Sequence, residues 1–590
     1  MPRLMPTALL STLLLFSPVG LPPAAAADLS TLSERSGFIQ TGRYPEVLQL
    51  CDEFVKAYPK AVRCIQFGTT PEGRPMKALV VSTSGALSAE QAHQRRLPVV
   101  LIQGGIHAGE IDGKDAGFLA LRELLEGKAA PGVLDKLVWV FVPVFNIDGH
   151  ERFAAWNRPN QRGPAEMGWR TTAQNFNLNR DYLKADSAEM QAMLALVNQW
   201  DPLAYVDLHV TDGAKFQHDI SIQVEPIHAG DPQLRASGRA LRDNVIAELA
   251  AAGSLPLPYY PSFVVRDDPA SGFEDSVAPP RFSHGYFQLR NRIGMLVETH
   301  SWKEYPVRVR ITRNTIVSVL QQMAEDGQDW QAVAQAADQR ARSLAGSPVA
   351  LSYKTGPASH IVDFQGYAYS RTPSEVSGTL MTRYDESQPQ VWKVPLRDDI
   401  QPDVVVDAPG AGYLVPAAHA AWVAEKLRQH GVEFRRLGAQ AAVATDVFRA
   451  DSSTFAGDSM ESHQRLKVTG QWRPERHDIV AGSLFVPIAQ PRARLVMALL
   501  EPDAPDSLLA WGEFNNAFER KEYMEDYVAE DVAREMLRDP AVKAAFEQRL
   551  REDAAFAADP AARLDFFYQR HASWDQQYNL YPVMRLDQVP

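Results

Sequence analysis

An α/β fold, with a sheet covered by helices on both faces, is what the first 345 residues of this sequence predict. Short continuous apolar runs alternate there with stretches of helical periodicity, the pattern of strands buried on both sides. After residue 345 the texture changes. Apolar runs become shorter and are separated by Gly, Pro and Asp, and from about residue 506 onward the chain is charged and helical in pattern. A C-terminal strand-then-helix accessory region is therefore expected over 346–590, which agrees with a 590-residue chain being too long for one core.

The elements follow in order. Val47, Leu48, Cys51, Phe54 and Val55 recur at helical spacing and predict a helix over 45–58. Apolar strands are expected at Ala78 to Ser82 and Pro98 to Gln103, a helix at Asp112 to Glu126, and a buried strand at Leu137 to Phe145. Asp186 is placed to cap a helix over 187–200, which leads to a strand from Ala204 to His209. A long helix near 232–252 precedes a Pro-rich loop and the strand Gly294 to Glu298. Beyond 345, Tyr413 to Pro416 and Leu495 to Leu500 read as strands, and Ala417 to His430 and Met524 to Leu537 as helices.

A hydrophobic fraction of 45% with 22% charged residues is that of a globular protein, and a net charge of −12 excludes nucleic acid as a natural partner. Residues 1–27 read as a secretory signal: Arg3, an apolar run from Ala8 to Pro18, and small residues at Ala24 to Ala27. An uncleaved anchor is the alternative. No later stretch offers about 18 uninterrupted apolar residues, so the mature chain is expected to have no integral membrane segment and to be exported, periplasmic or extracellular. Cys51 and Cys64 either form a disulfide in that compartment or remain two buried thiols.

Gly104-Gly105-Ile106-His107-Ala108-Gly109-Glu110 directly follows a buried strand, and Asp207-Leu208-His209 ends another. Open α/β sheets build their sites at such carboxyl ends. His107 and Glu110, three residues apart in a turn, can face one point with His209. Two imidazoles and a carboxylate are ordinary zinc donors that leave a fourth position for water. By itself the H-x-x-E spacing is a weak signal.

The order His107-Ala108-Gly109-Glu110, Asn146-Ile147-Asp148-Gly149, Asn179-Arg180, Asp207-Leu208-His209, Val297-Glu298-Thr299 resembles the zinc carboxypeptidase (carboxypeptidase A-like) family. Gly68-Thr69-Thr70-Pro71-Glu72-Gly73-Arg74 is similar to that family's first strand and turn, and the likeness covers about residues 30–310. The resemblance implies a mixed β-sheet between helices in a catalytic domain over 28–345, with one zinc per chain on His107, Glu110 and His209. It implies Glu298 as the base, Arg170 as the oxyanion partner, and Asn179 with Arg180 as the clamp for the free C-terminal carboxylate of a peptide substrate. A guanidinium suits that clamp because its planar fork meets both carboxylate oxygens.

Departures from the family pattern are Ile147 where proline is usual and Asn177 where an aspartate often orients a zinc histidine. For the family's mobile tyrosine, Tyr286 is ranked ahead of Tyr260. His300, His218, His228 and His284 are competing histidines, each read as structural. Arg281, Arg290 and Arg292 are read as a solvated charged face, or else as cations favouring acidic side chains in the substrate pocket. Two rivals to a metallocarboxypeptidase are a zinc deacylase or amidase acting on N-acyl amino acids or cell-wall peptides, and an inactive peptide-binding protein. No motif assigns a role to 346–590, and the sequence leaves the oligomeric state open.

Overall fold

The computed structural model describes Met1 and residues 28–590, so the signal reading for 1–27 lies outside the described residues. Among the described residues, nine strands precede residue 345 in chain order: β1 (Val62–Thr69), β2 (Pro75–Val81), β3 (Val99–Gly104), β4 (Val138–Val142), β5 (Ala204–Thr211), β6 (Ile220–Glu225), β7 (Pro256–Leu257), β8 (Phe273–Glu274) and β9 (Ile293–His300). Eight of them form one sheet in the order β1-β2-β4-β3-β5-β9-β6-β7. The central strands β4, β3, β5 and β9 run parallel, β1 and β2 are joined antiparallel to their neighbours, and β6 pairs antiparallel with β9 and parallel with β7. The sheet is therefore mixed.

The residues explain the arrangement. β3, β4, β5 and β9 are buried along their whole length, as strands covered on both faces must be. Helices Tyr44–Ala57, Asp112–Leu125, Ala188–Trp200, Arg235–Ala251 and Tyr305–Ala341 supply the apolar stripes that cover them. Cys51 and Cys64 form a disulfide joining the first of these helices to β1.

Most expected elements appear within a few residues of the sequence reading. The helix expected at 187–200 is capped by the Ser187 hydroxyl, which accepts the Met190 N–H, rather than by Asp186. Leu495 to Leu500 belongs to a helix, Ala493–Leu500, and not to a strand; every residue there except Arg494 is buried, so its apolar run could not distinguish the two. The sequence reading omitted β6, a strand of the sheet, and the 37-residue helix Tyr305–Ala341 that packs on it.

Region 346–590 is not detached. Its residues Val349, Tyr413, Val423, Leu427, Leu495 and Leu499 share a continuous buried cluster with β3, β5 and β9. Two long hairpins rise from it: His360–Pro373 with Leu380–Arg397, and Gln440–Phe455 with Leu466–Ile479. The first also pairs with β8 through Leu396 and Arg397. Short helices follow 525 as expected, but helices Ala420–Gln429 and Ala493–Leu500 interrupt the strands and a final strand, Met584–Leu586, returns to pair with Gly412–Val415.

One buried ion pair ties the expected metal turn to the helical layer. Asp112 accepts from Arg308 Nε at 2.9 Å and from the Thr299 hydroxyl at 3.0 Å. Arg308 also donates to the carbonyls of Arg162, Gly163 and Lys303. An Asp112→Ala variant, leaving that guanidinium buried without its carboxylate, is expected to lose about 3–5 kcal/mol in chemical denaturation.

Glu189 is a second buried group with a measurable signature. It is fully buried, and neither carboxylate oxygen has a hydrogen-bond partner among the described residues. Burial pushes its carboxyl up from 4.5 to about 7. Over that window the folded state keeps a proton that the unfolded state releases, so stability falls as pH rises from 4.5 through 7. Glu189→Gln is expected to raise the melting temperature at pH 8, with the gain shrinking toward pH 5.

Candidate metal centre and cleft

β3, β5 and β9 deliver the candidate residues to one edge of the sheet. After β3 the chain turns at Gly105, whose φ of +65° suits glycine, and presents His107 and Glu110. Gly109 is packed so closely that an added Cβ would lie 2.7 Å from the Gly168 carbonyl oxygen, which fixes the turn against the loop carrying Arg158 and Arg170. His209 lies at the end of β5, directly in register with Glu298 on β9.

Glu110 sits between the two imidazoles. Its Oε1 is 3.0 Å from His107 Nδ1 and its Oε2 is 2.9 Å from His209 Nδ1. All three residues are buried, and one ligand atom from each lies within 4.8 Å of the others. The far sides of the rings settle what the near sides carry. His107 Nε2 faces Asn177 Oδ1 at 3.1 Å, and that oxygen also accepts the Asn179 N–H, so it is the acceptor and the ring nitrogen is the donor. His209 Nε2 faces Asp207 Oδ1 at 3.0 Å.

With its proton on Nε2, the neutral His107 ring turns an Nδ1 lone pair toward the Glu110 carboxylate, whereas Asp207 and Glu110 outweigh burial and hold His209 well above the usual histidine range. Burial favours the neutral ring of His107, lowering it to about 4. A cation bound by the three groups would displace the His209 proton from Glu110, and two imidazoles with one carboxylate suit zinc. The residues present therefore fit the metal.

The cleft around this centre encloses about 450 Å³. Glu298, Arg170, Asn179 and Arg180 all line it, as does Tyr260. Glu298 Oε2 is buried without a partner among the described residues. Burial, reinforced by Glu110 and Asp207 and opposed by His209, holds the Glu298 carboxyl above the usual carboxylate range. Arg170 Nη1 is 3.5 Å from Glu110 Oε1. The Arg180 guanidinium lies over the Phe282 ring at 4.4 Å, and burial with Arg170 and Arg281 nearby lowers it to about 10.

Tyr286 is not in this cleft. It is fully buried, and its hydroxyl bonds His430 Nδ1 at 2.9 Å and accepts from Arg290. The tyrosine that does line the cleft is Tyr260, whose hydroxyl bonds the Thr211 hydroxyl at 2.8 Å. The ranking of Tyr286 ahead of Tyr260 is thus reversed, because Tyr286 lies in a short buried helix, Ser283–Phe287, packed on the sheet.

The competing histidines lie elsewhere or carry no donor set. His300 stacks on Phe216 at 3.9 Å, His218 bonds the Leu255 carbonyl, and His228 faces Glu225. His284 is buried in the cleft wall. Arg290 and Arg292 form no solvated face: both are buried, Arg290 on Asn198 and His430, Arg292 on Asp201 and Asp338. Arg281 is paired with Asp506.

Arg158 was missed by the sequence reading. Its Nη2 lies 2.8 Å from Glu110 Oε1, and this charge together with the histidines outweighs burial and holds Glu110 low. It belongs to an irregular loop without periodicity, and only the folding of that loop over Gly109 brings it in.

Fold and donor set together give an α/β protein with a candidate three-donor metal centre at the carboxyl ends of parallel strands. Residues 47–223 match the zinc carboxypeptidase family model. The chain is 28% identical over 142 residues to carboxypeptidase B of Helicoverpa zea, covering 22% of this chain and 32% of that protein. It is 33% identical over 99 residues to the inactive metallocarboxypeptidase ecm14 of Schizosaccharomyces pombe, covering 16% of this chain and 20% of that one. The chain thus spans about a third or less of the length of these curated relatives. Among solved structures, the carboxypeptidase A of Helicoverpa armigera superposes with a TM-score of 0.34 at 16% identity, over 51% of this chain and 74% of that one.

If the three donors act as one site, His107→Ala and His209→Ala should each strip the purified protein of metal. Elemental analysis is expected to give about one zinc per wild-type chain. Zinc retained at wild-type level in both variants would place the metal elsewhere.

Proposed function

We propose that this chain is a zinc-dependent metallopeptidase that removes residues from the free C-termini of peptides. One observation carries the reading: a single cleft holds the His107–Glu110–His209 donor set, the unpartnered carboxylate of Glu298, and the guanidiniums of Arg170 and Arg180. Zinc, when bound, acidifies water and polarises a carbonyl.

The chain's own residues do the rest. Glu298 accepts the proton of the attacking water and returns it to the departing amine, for which a carboxyl raised toward neutrality is suited. Arg170 faces the negative charge that develops on the scissile carbonyl oxygen. Arg180, held over the Phe282 ring, meets the terminal carboxylate with its guanidinium fork, and the Asn179 side chain adds a hydrogen bond beside it. Asn177 and Asp207 hold the two imidazoles in the tautomer that aims Nδ1 inward.

The Cys51–Cys64 disulfide supports an oxidising compartment, and so an exported protein. Among the described residues, no helix is long and apolar enough to cross a membrane. In this reading 28–345 is the catalytic domain and 346–590 its accessory region.

Glu298→Gln is expected to keep its zinc and lose turnover by about 10²–10⁴-fold. Unchanged turnover removes Glu298 as the base. A wild type that binds zinc and cleaves nothing in a peptide screen moves the chain to the non-catalytic binding proteins. A peptide with a free C-terminus should be cleaved and its C-terminal amide spared; equal cleavage of both would assign the chain to the amidases.

A further inference from the structure

The tip of the second C-terminal hairpin reaches back to the metal centre. Strands Gln440–Phe455 and Leu466–Ile479 continue into an outer turn in which Met460 and His463 exchange both backbone hydrogen bonds, at 2.8 and 2.9 Å. The two residues between them, Glu461 and Ser462, have φ of +50° and +68°. Such a turn favours Asn-Gly, and side chains larger than these are held there at a cost of about 1–3 kcal/mol each when the surroundings over-determine them.

What over-determines this tip is the segment Asn177 to Asp186. The Asn177 N–H donates to Glu461 Oε2 at 3.0 Å. At the other end of the segment, His463 Nε2 bonds Asp186 Oδ2 at 2.7 Å, and Lys426 bonds Asp186 Oδ1 at 2.6 Å. The lysines on Asp186 make this second contact an ion-pair anchor rather than a metal site, although Asp186, His463 and Glu513 lie close together. Between the two anchors lie Asn177, whose Oδ1 accepts from His107 Nε2, and Asn179 and Arg180, which line the cleft.

We infer that the hairpin tip of the accessory region is a working part of the metal centre, with Glu461 the positioning residue that fixes Asn177 and, through it, the His107 imidazole. Asn177 must hold its amide oxygen on the ring nitrogen without the charge an aspartate would bring, so the placement of its backbone matters more. Glu461 supplies that placement. Its carboxylate is also an anion close to Arg180, and it offsets the repulsion among Arg170, Arg180 and Arg281.

Zinc affinity, measured by competition with a chromogenic chelator, tests this without relying on turnover. Glu461→Ala removes the acceptor of the Asn177 N–H, and Glu461→Asp withdraws it by one methylene while keeping the charge. Both are expected to weaken zinc binding by about 10-fold, the low end for loss of a group that orients a metal ligand. Glu461→Gln keeps an acceptor and is expected to bind zinc as the wild type does. Asp458→Ala, on the same tip but exposed, serves as the control and should leave affinity unchanged.

Equal zinc affinity in wild type, Glu461→Ala and Glu461→Asp overturns the inference, as does a fall in melting temperature with no change in affinity. The turnover arm rests on the proposed peptidase activity: kcat should fall in Glu461→Ala and be restored in Glu461→Gln. Weakened zinc binding in a chain that cleaves no peptide would keep the positioning role and remove the peptidase reading.

Discussion

The structure depends on one arrangement: a carboxylate held between two imidazoles at the carboxyl ends of β3 and β5. Such an arrangement is costly to bury unless positive charge lies beside the carboxylate. The rest of the domain reads as the means of imposing it. The parallel strands put the ring of His209 beside the turn that carries Glu110. Asn177 and Asp207 fix the tautomers, and Arg158 and Arg170 supply positive charge around Glu110. Asp112, two residues beyond Glu110, anchors the same turn to Arg308 in the helical layer.

What was legible in the sequence was what local pattern encodes. The strands before His107, His209 and Glu298 are continuous apolar runs, and each candidate residue sits where such a run stops. The site residues His107, Glu110, His209, Arg170, Asn179, Arg180 and Glu298 therefore meet in one cleft. Arg158 was not found in advance, and Tyr260 was ranked behind Tyr286, because each lies on an irregular loop whose approach to the cleft is decided by tertiary packing alone. Tyr286 is instead held in the core by a hydrogen bond to His430, from a region far along the chain. Helix Ala493–Leu500 escaped because an all-buried run has no periodicity to read.

Region 346–590 shows how a part without chemical motifs can still belong to a site. The 440–479 hairpin holds the segment that includes Asn177, Asn179 and Arg180. The 360–397 hairpin grips the other side, where Glu386 pairs with Arg162 and Lys215, and Gln365 accepts the Gln217 N–H. None of these residues is a nucleophile, a base or a metal donor. Their effect is to remove freedom from loops that would otherwise be mobile, which is what preorganisation of a polar site requires.

The register between β5 and β9 has a consequence for how this protein can change over time. Side chains alternate along a strand, so a one-residue slip of β5 would turn Asp207 and His209 to the opposite face and take the His209 ring away from Glu110. Metal binding and sheet pairing are thus a single all-or-none property at this position. Insertions and deletions can accumulate only where a loop intervenes, and the lineage is free to elaborate its surface while the spacing inside the central strands stays frozen.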